Sequence, residues 1–117
     1  MTSELADKEC VACRGGTPPL SGEKVGELLR EVDGWIIEQE YHLTRIYKFP
    51  DFAKALVFVN QVGEIAEQQN HHPDIHLAWG SVRVEVWTHK IHGLTESDFI
   101  FAAKVDAALA AFREAES

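Results

Sequence analysis

The segment Val-Arg-Val-Glu-Val-Trp-Thr-His, residues 82–89, alternates without a break. Val82, Val84 and Val86 fall on one side; Arg83, Glu85, Trp87 and His89 fall on the other. Successive side chains of an extended chain point to opposite faces, so this run is a strand with one face covered and one face open. Gly80 and Ser81 turn it back on "DIHLAW", residues 74–79, which makes the two runs a hairpin and the pairing antiparallel. The sheet therefore needs an apolar layer on one side, and the rest of the chain has to supply it.

Three segments have the helical period. Ser21 is a plausible N-cap for a helix to about Val32, with Val25, Leu28, Leu29 and Val32 at helical spacing and Asp33-Gly34 as its stop. Pro50 and Asp51 open the strongest helix, Phe52 to Gln69, whose expected buried stripe is Phe52, Leu56, Val59, Val62 and Ala66. Thr95 caps a last helix with Phe99, Ala102, Val105, Leu109 and Phe112 on its apolar side. Between the first two lie "WIIEQ" and "YHLTRIYKF", rich in β-branched and aromatic residues and joined by a short turn near Glu40. The order helix, two strands, helix, two strands, helix reads as an α+β sandwich in one domain, residues 21–117. Residues 1–20 read as a flexible leader. "VRVEVW" is the candidate free edge through which the sheet would self-associate.

Composition removes several classes of function. A formal net charge of −8 argues against nucleic acid, whose phosphates require a basic stripe. No apolar run approaches a bilayer span, so no membrane role is expected. The N-terminus lacks a basic segment followed by an apolar core and is not a secretory signal, which points to the cytoplasm. The Cys10/Cys13 pair has no second ligand pair for structural zinc and no strand-to-helix setting for a thioredoxin-like motif, so it reads as leader sequence.

What remains is the histidine cluster in "EQQNHHPDIHLAW", residues 67–79. Pro73 disfavours the helical region for His72, so the long helix ends near Asn70 and the histidine pair lies at its exit. Neighbouring side chains in that extended stretch diverge, so one imidazole can hold a ligand while the other faces a reacting bond. Glu67, a turn upstream, can fix a ring tautomer. His42, His76 and His92 read as ordinary surface or satisfied histidines. A zinc site built from three imidazoles and Glu67 is the rival reading, but adjacent histidines rarely converge on one ion and the paired-histidine helix of zinc proteases is missing. There is no phosphate-binding glycine loop and no recognisable nucleophile context. Proton transfer by neutral histidines fits these residues best.

The spacing Glu67, His71, His72, Pro73, Trp79, His89, Asp98 resembles the signature of the pterin-4a-carbinolamine dehydratases, and the similarity runs over about Ser21 to Phe112 with a leader like that of bacterial members. The resemblance implies a four-stranded antiparallel sheet with three helices on one face, in the order α-β-β-α-β-β-α, assembled as a homodimer or homotetramer. It implies dehydration of 4a-hydroxytetrahydropterin to quinonoid dihydropterin after aromatic amino acid hydroxylation, with no metal and no cofactor, the pterin being the substrate. Carried over by position, the resemblance makes His71, His72, His89 and Glu67 the catalytic set: His72 and His89 for acid–base work, His71 as a pterin contact and proton partner, and Glu67 orienting the cluster. Pro73, Thr88, Lys90 and Ile91 would line the substrate. Asp98 is a helix cap, a site residue or both, and Trp79 either flanks the pocket or packs. Vertebrate members tend to carry aromatics just after the proline; Ile75 and His76 stand here instead, which leaves the pocket wall open. Because some relatives serve as dimerisation cofactors or assembly factors, a non-enzymatic interaction protein on the same fold is the alternative; retention of His71, His72, His89 and Glu67 favours the enzyme.

Overall fold

Ser21 accepts a hydrogen bond from the Lys24 amide at 3.2 Å and starts α1, Gly22–Leu29. The structure, a computed structural model, describes residues 4–8, 10 and 18–116. Helix α1 stops at Leu29 rather than at about Val32, yet Val32 still reaches the core from the turns that follow. The chain then reverses at Gly34, whose φ of 84° lies in the left-handed region that glycine enters without strain. Strands β1 (Ile36–Glu38) and β2 (His42–Lys48) are joined by a tight turn that holds Gln39 and Glu40 at positive φ.

Asp51 caps α2, Phe52–Gln69, by accepting from the Lys54 amide at 2.8 Å. The helix ends as Pro73 requires. Asn70 takes the left-handed conformation, and both its amide and that of His71 donate to the Ala66 carbonyl, a closure that satisfies a carbonyl the helix end would orphan. Strands β3 (Asp74–Ala78) and β4 (Ser81–Val86) follow, then a 3₁₀ turn at His89–Ile91 and helix α3, Glu96–Glu116.

All pairings in the sheet are antiparallel, in the order β1-β2-β4-β3. The expectation that "VRVEVW" is a free edge is therefore overturned: Val82 pairs with Tyr47 on one side and with Leu77 on the other, so β4 is internal and the edges are β1 and β3. The valine row does face the helices. Val82, Val84 and Val86 are fully buried with Leu43 and Tyr47 against Phe58 and Val62 of α2 and Phe99, Ala102 and Val105 of α3.

Helix α2 is rotated from its expected setting. Its buried residues are Ala55, Phe58, Val62 and Ala66, whereas Phe52 and Leu56 are 44 % and 41 % exposed. Both stripes share Val62 and Ala66. Phe58 decides between them, because its ring packs 4.8 Å from Tyr47 and 5.2 Å from Phe49 and turns its own side of the helix to the sheet.

At the other end of the sheet, Asp106 of α3 ties three elements. Its carboxylate accepts from Trp35 Nε1 at 3.0 Å, Arg45 Nη1 at 2.9 Å and the Tyr47 hydroxyl at 2.8 Å. Burial pushes the Asp106 carboxyl above its usual range despite these donors, and burial together with Asp106 pushes the Tyr47 phenol up as well.

Part of the leader is docked on this domain. Leu5 is buried, and Ala6 accepts at its carbonyl from Lys104 Nζ of α3 at 2.9 Å. The Cys10 amide donates to Gln69 Oε1 at 2.9 Å, and its thiol donates to the Ser97 carbonyl at 3.4 Å. Cys13 lies outside the described residues. Among the described residues, no helix is long and apolar enough to cross a membrane.

Candidate active site

Asn70 closes α2, and the two histidines beyond it part company. His71 turns inward, its Nε2 2.6 Å from Asp98 Oδ1. Asp98 is wholly buried, and its other oxygen accepts from the Thr88 hydroxyl at 2.8 Å and from the Thr95 amide at 2.9 Å. The carboxylate thus does two things at once: it satisfies an amide at the start of α3 and holds the His71 ring at the end of α2. His72 turns outward to Glu67 Oε2, also at 2.6 Å. That pair is open to solvent, with side chains 55 % and 79 % exposed, so it orients the ring and adds little stability. In a neutral ring, a carboxylate beside Nε2 keeps the proton there and leaves the lone pair on Nδ1.

The third histidine arrives from the sheet. Trp87 and Thr88 follow β4, and His89 opens the 3₁₀ turn, which Thr88 and Gly93 close by an isolated antiparallel bridge. The His89 and Trp87 rings meet edge-on, with centroids 4.4 Å apart and planes at 76°. Between helix exit and strand exit lies a cavity of about 280 Å³, lined by Asn70, His71, His72, Trp87, Thr88, His89 and Lys90. In a chain of net charge −8, this lining contains no carboxylate, and Lys90 is its permanent cation.

The structure gathers most of the expected residues. His71, His72, His89, Thr88 and Lys90 line the cavity, with Glu67 and Asp98 immediately behind the first two histidines. Pro73 and Ile91 adjoin lining residues in the chain without lining the cavity themselves. Trp79 does neither of the things expected of it. It sits in the β3–β4 turn, 69 % exposed, at the end of β4 opposite Trp87, roughly 20 Å away by the length of the strand. A hairpin separates the residues of its turn from those at its open end, however close they are in sequence.

Two lining residues were not among those expected. Asn70 is there because it is the left-handed cap. Trp87 shares the strand parity of His89, and that parity was the only signal for it. Behind Trp87 stands His42, stacked on the indole at 3.8 Å with planes 4° apart and bonded through Nδ1 to Glu85 Oε2 at 3.0 Å. Burial alone would raise the Glu85 carboxyl, but the His42 bond and the neighbouring Arg83 charge outweigh it and hold this carboxyl below its usual range. Among the described residues, no group of three or more His, Cys, Asp or Glu is arranged to hold a metal ion.

The family model described as pterin 4 alpha carbinolamine dehydratase matches residues 18–108. The chain belongs to that family. A family member from Rubrobacter xylanophilus, provisionally named a pterin-4-alpha-carbinolamine dehydratase, is 61 % identical over 104 residues, covering 89 % of this chain and 97 % of the relative. Among solved structures of this type, one from Brucella melitensis, described as a transcriptional coactivator/pterin dehydratase, is 36 % identical with a TM-score of 0.73, covering 77 % of this chain and 97 % of its own. A pterin dehydratase-like protein identified as a RuBisCO assembly factor in the alpha-carboxysome is 24 % identical with a TM-score of 0.55, covering 63 % and 87 %, and shares the fold. The matched region of the family model includes both histidine-bearing exits and the carboxylates behind them.

Proposed function

We propose that this carbinolamine dehydratase family member removes water from a 4a-hydroxytetrahydropterin, supporting tetrahydropterin recycling after aromatic amino acid hydroxylation. The observation that carries the reading is the convergence of His71, His72 and His89 on one cavity, two of them with their tautomers set by carboxylates. Dehydration breaks the C4a–O bond and the N5–H bond and forms a C4a–N5 double bond. The departing hydroxyl needs a proton, and N5 must lose one. A ring N–H supplies the first and a ring lone pair takes the second, each worth on the order of 10²–10⁴ in rate. His72 and His89 share these transfers, while His71, fixed by buried Asp98, positions the pterin. The Thr88 and Lys90 walls complete the binding surface. The products are water and the quinonoid dihydropterin, and no metal or organic cofactor enters the step.

The test is a dehydration assay in which the carbinolamine is generated in place by an aromatic amino acid hydroxylase. Acceleration over the spontaneous reaction is the expected result. No acceleration at micromolar protein would overturn the reading and leave the interaction-protein alternative in its place.

A further inference from the structure

His71 is held by Asp98 and His72 by Glu67, but among the described residues His89 has no carboxylate partner. What lies against its ring is Trp87. Trp87 is itself held: His42 covers one indole face in a parallel stack at 3.8 Å. His42 is nearly enclosed, at 12 % side-chain exposure, and its Nδ1 bonds to Glu85 Oε2. Glu85 is 8 % exposed on the sheet face that no helix covers, where Arg83 Nε donates to its second oxygen at 3.4 Å. Sheet register sets the line-up. His42 and Trp87 stand one step beyond the ladder pair Leu43–Val86, so their side chains rise side by side from the same face.

We propose that His42 is a positioning residue for His89, acting through Trp87 and anchored by Glu85. The inference rests on the dehydratase reading of the cavity. A carboxylate fixes the His42 ring, the ring fixes the indole, and the indole edge fixes His89, so that each pocket histidine is oriented by a carboxylate, two directly and one through an aromatic pair. Because His42 occupies one face of Trp87, only the other face and the edges of the indole meet the cavity. A bicyclic substrate therefore meets an indole that is braced from behind and cannot turn away.

The experiment uses the full chain with His42→Ala, His42→Phe and, as a control on the same sheet face, Lys48→Ala, because His76 itself lies 3.8 Å from Glu85. Two readouts are taken: the side-chain nitrogen resonances of His89 by NMR, and kcat and KM for dehydration. His42→Ala is expected to shift the His89 resonances and to lower kcat roughly tenfold with little change in KM, the signature of a misplaced catalytic group. His42→Phe, which keeps a ring over Trp87, is expected to restore most of both. Lys48→Ala is expected to move neither. His89 resonances unmoved in His42→Ala would overturn the proposal, and if that variant does not fold, a His42→Phe protein unable to keep the wild-type His89 resonances would do so. An unaccelerated wild-type reaction would sink only the dehydratase reading, because the NMR comparison tests the positioning role without turnover.

Discussion

At the residue scale, the division between His71 and its neighbours makes the sharpest claim. His72→Ala and His89→Ala are each expected to lower turnover by roughly 10²-fold or more with the fold retained by circular dichroism. The double variant should lose less than the product of the singles, because groups that hand on the same proton act as a unit. His76→Ala, on the open sheet face, is the near-neutral control; wild-type rates in both single variants would remove the acid–base roles. Much of the arrangement of these side chains was legible in the sequence. Pro73 stops the helix, so Glu67, His71 and His72 fall at one exit whatever the rest of the fold does, and the Thr95-to-Asp98 spacing showed the cap role of Asp98. Trp79, His42 and Trp87 were not legible, because their neighbours are set by strand register, which places His42 beside Trp87 across forty-five positions of chain and keeps Trp79 at the far turn.

Secondary-structure elements were legible where their ends carry chemistry and obscure where only packing decides. Ser21, Asp51 and Asn70 mark helix ends that the structure keeps, while the α2 stripe went wrong because spacing alone cannot say which of two overlapping faces will bury Phe58. Two predictions belong at this scale. Gly34→Ala puts a Cβ 2.9 Å from the Arg45 guanidinium at a φ of 84°, straining the backbone and pushing Arg45 from Asp106. The expected loss is roughly 1–2 kcal/mol in urea unfolding. The second concerns the open sheet face. Glu85 is held below its ordinary pKa of 4.5 in the folded chain, so its contribution is present above that pH and is lost as pH falls through the lower folded value. Asp106, pushed up by burial, works with the opposite sign and is common to both proteins being compared. Urea midpoints at about pH 6 and about pH 3.5 should therefore fall more for the wild type than for Glu85→Gln; an equal fall would show that the His42 and Arg83 contacts do not act on Glu85.

For the whole molecule, the unfinished surfaces are informative. Phe52, Leu56 and Val57 are exposed along α2, and Ile36 and Ile46 stand on the sheet face that no helix covers. Apolar surface of this kind on a folded chain is ordinarily covered by a partner, and a second copy is the expected one. Light scattering should give a mass above the 13.1 kDa of one chain, and Leu56→Glu should move it downwards; a single-chain mass for the wild type at micromolar concentration would refute self-association. The docked leader has a different kind of consequence. Cys10 touches Gln69 at the last turn of α2 and Ser97 beside Asp98, the two element ends that present His71 and its carboxylate. Whatever disturbs the leader at Cys10 therefore reaches both of those ends at once, whereas a handle after α3 joins the chain at the opposite end of that 21-residue helix from Asp98. Assays of this protein are best made with any handle at its carboxyl end.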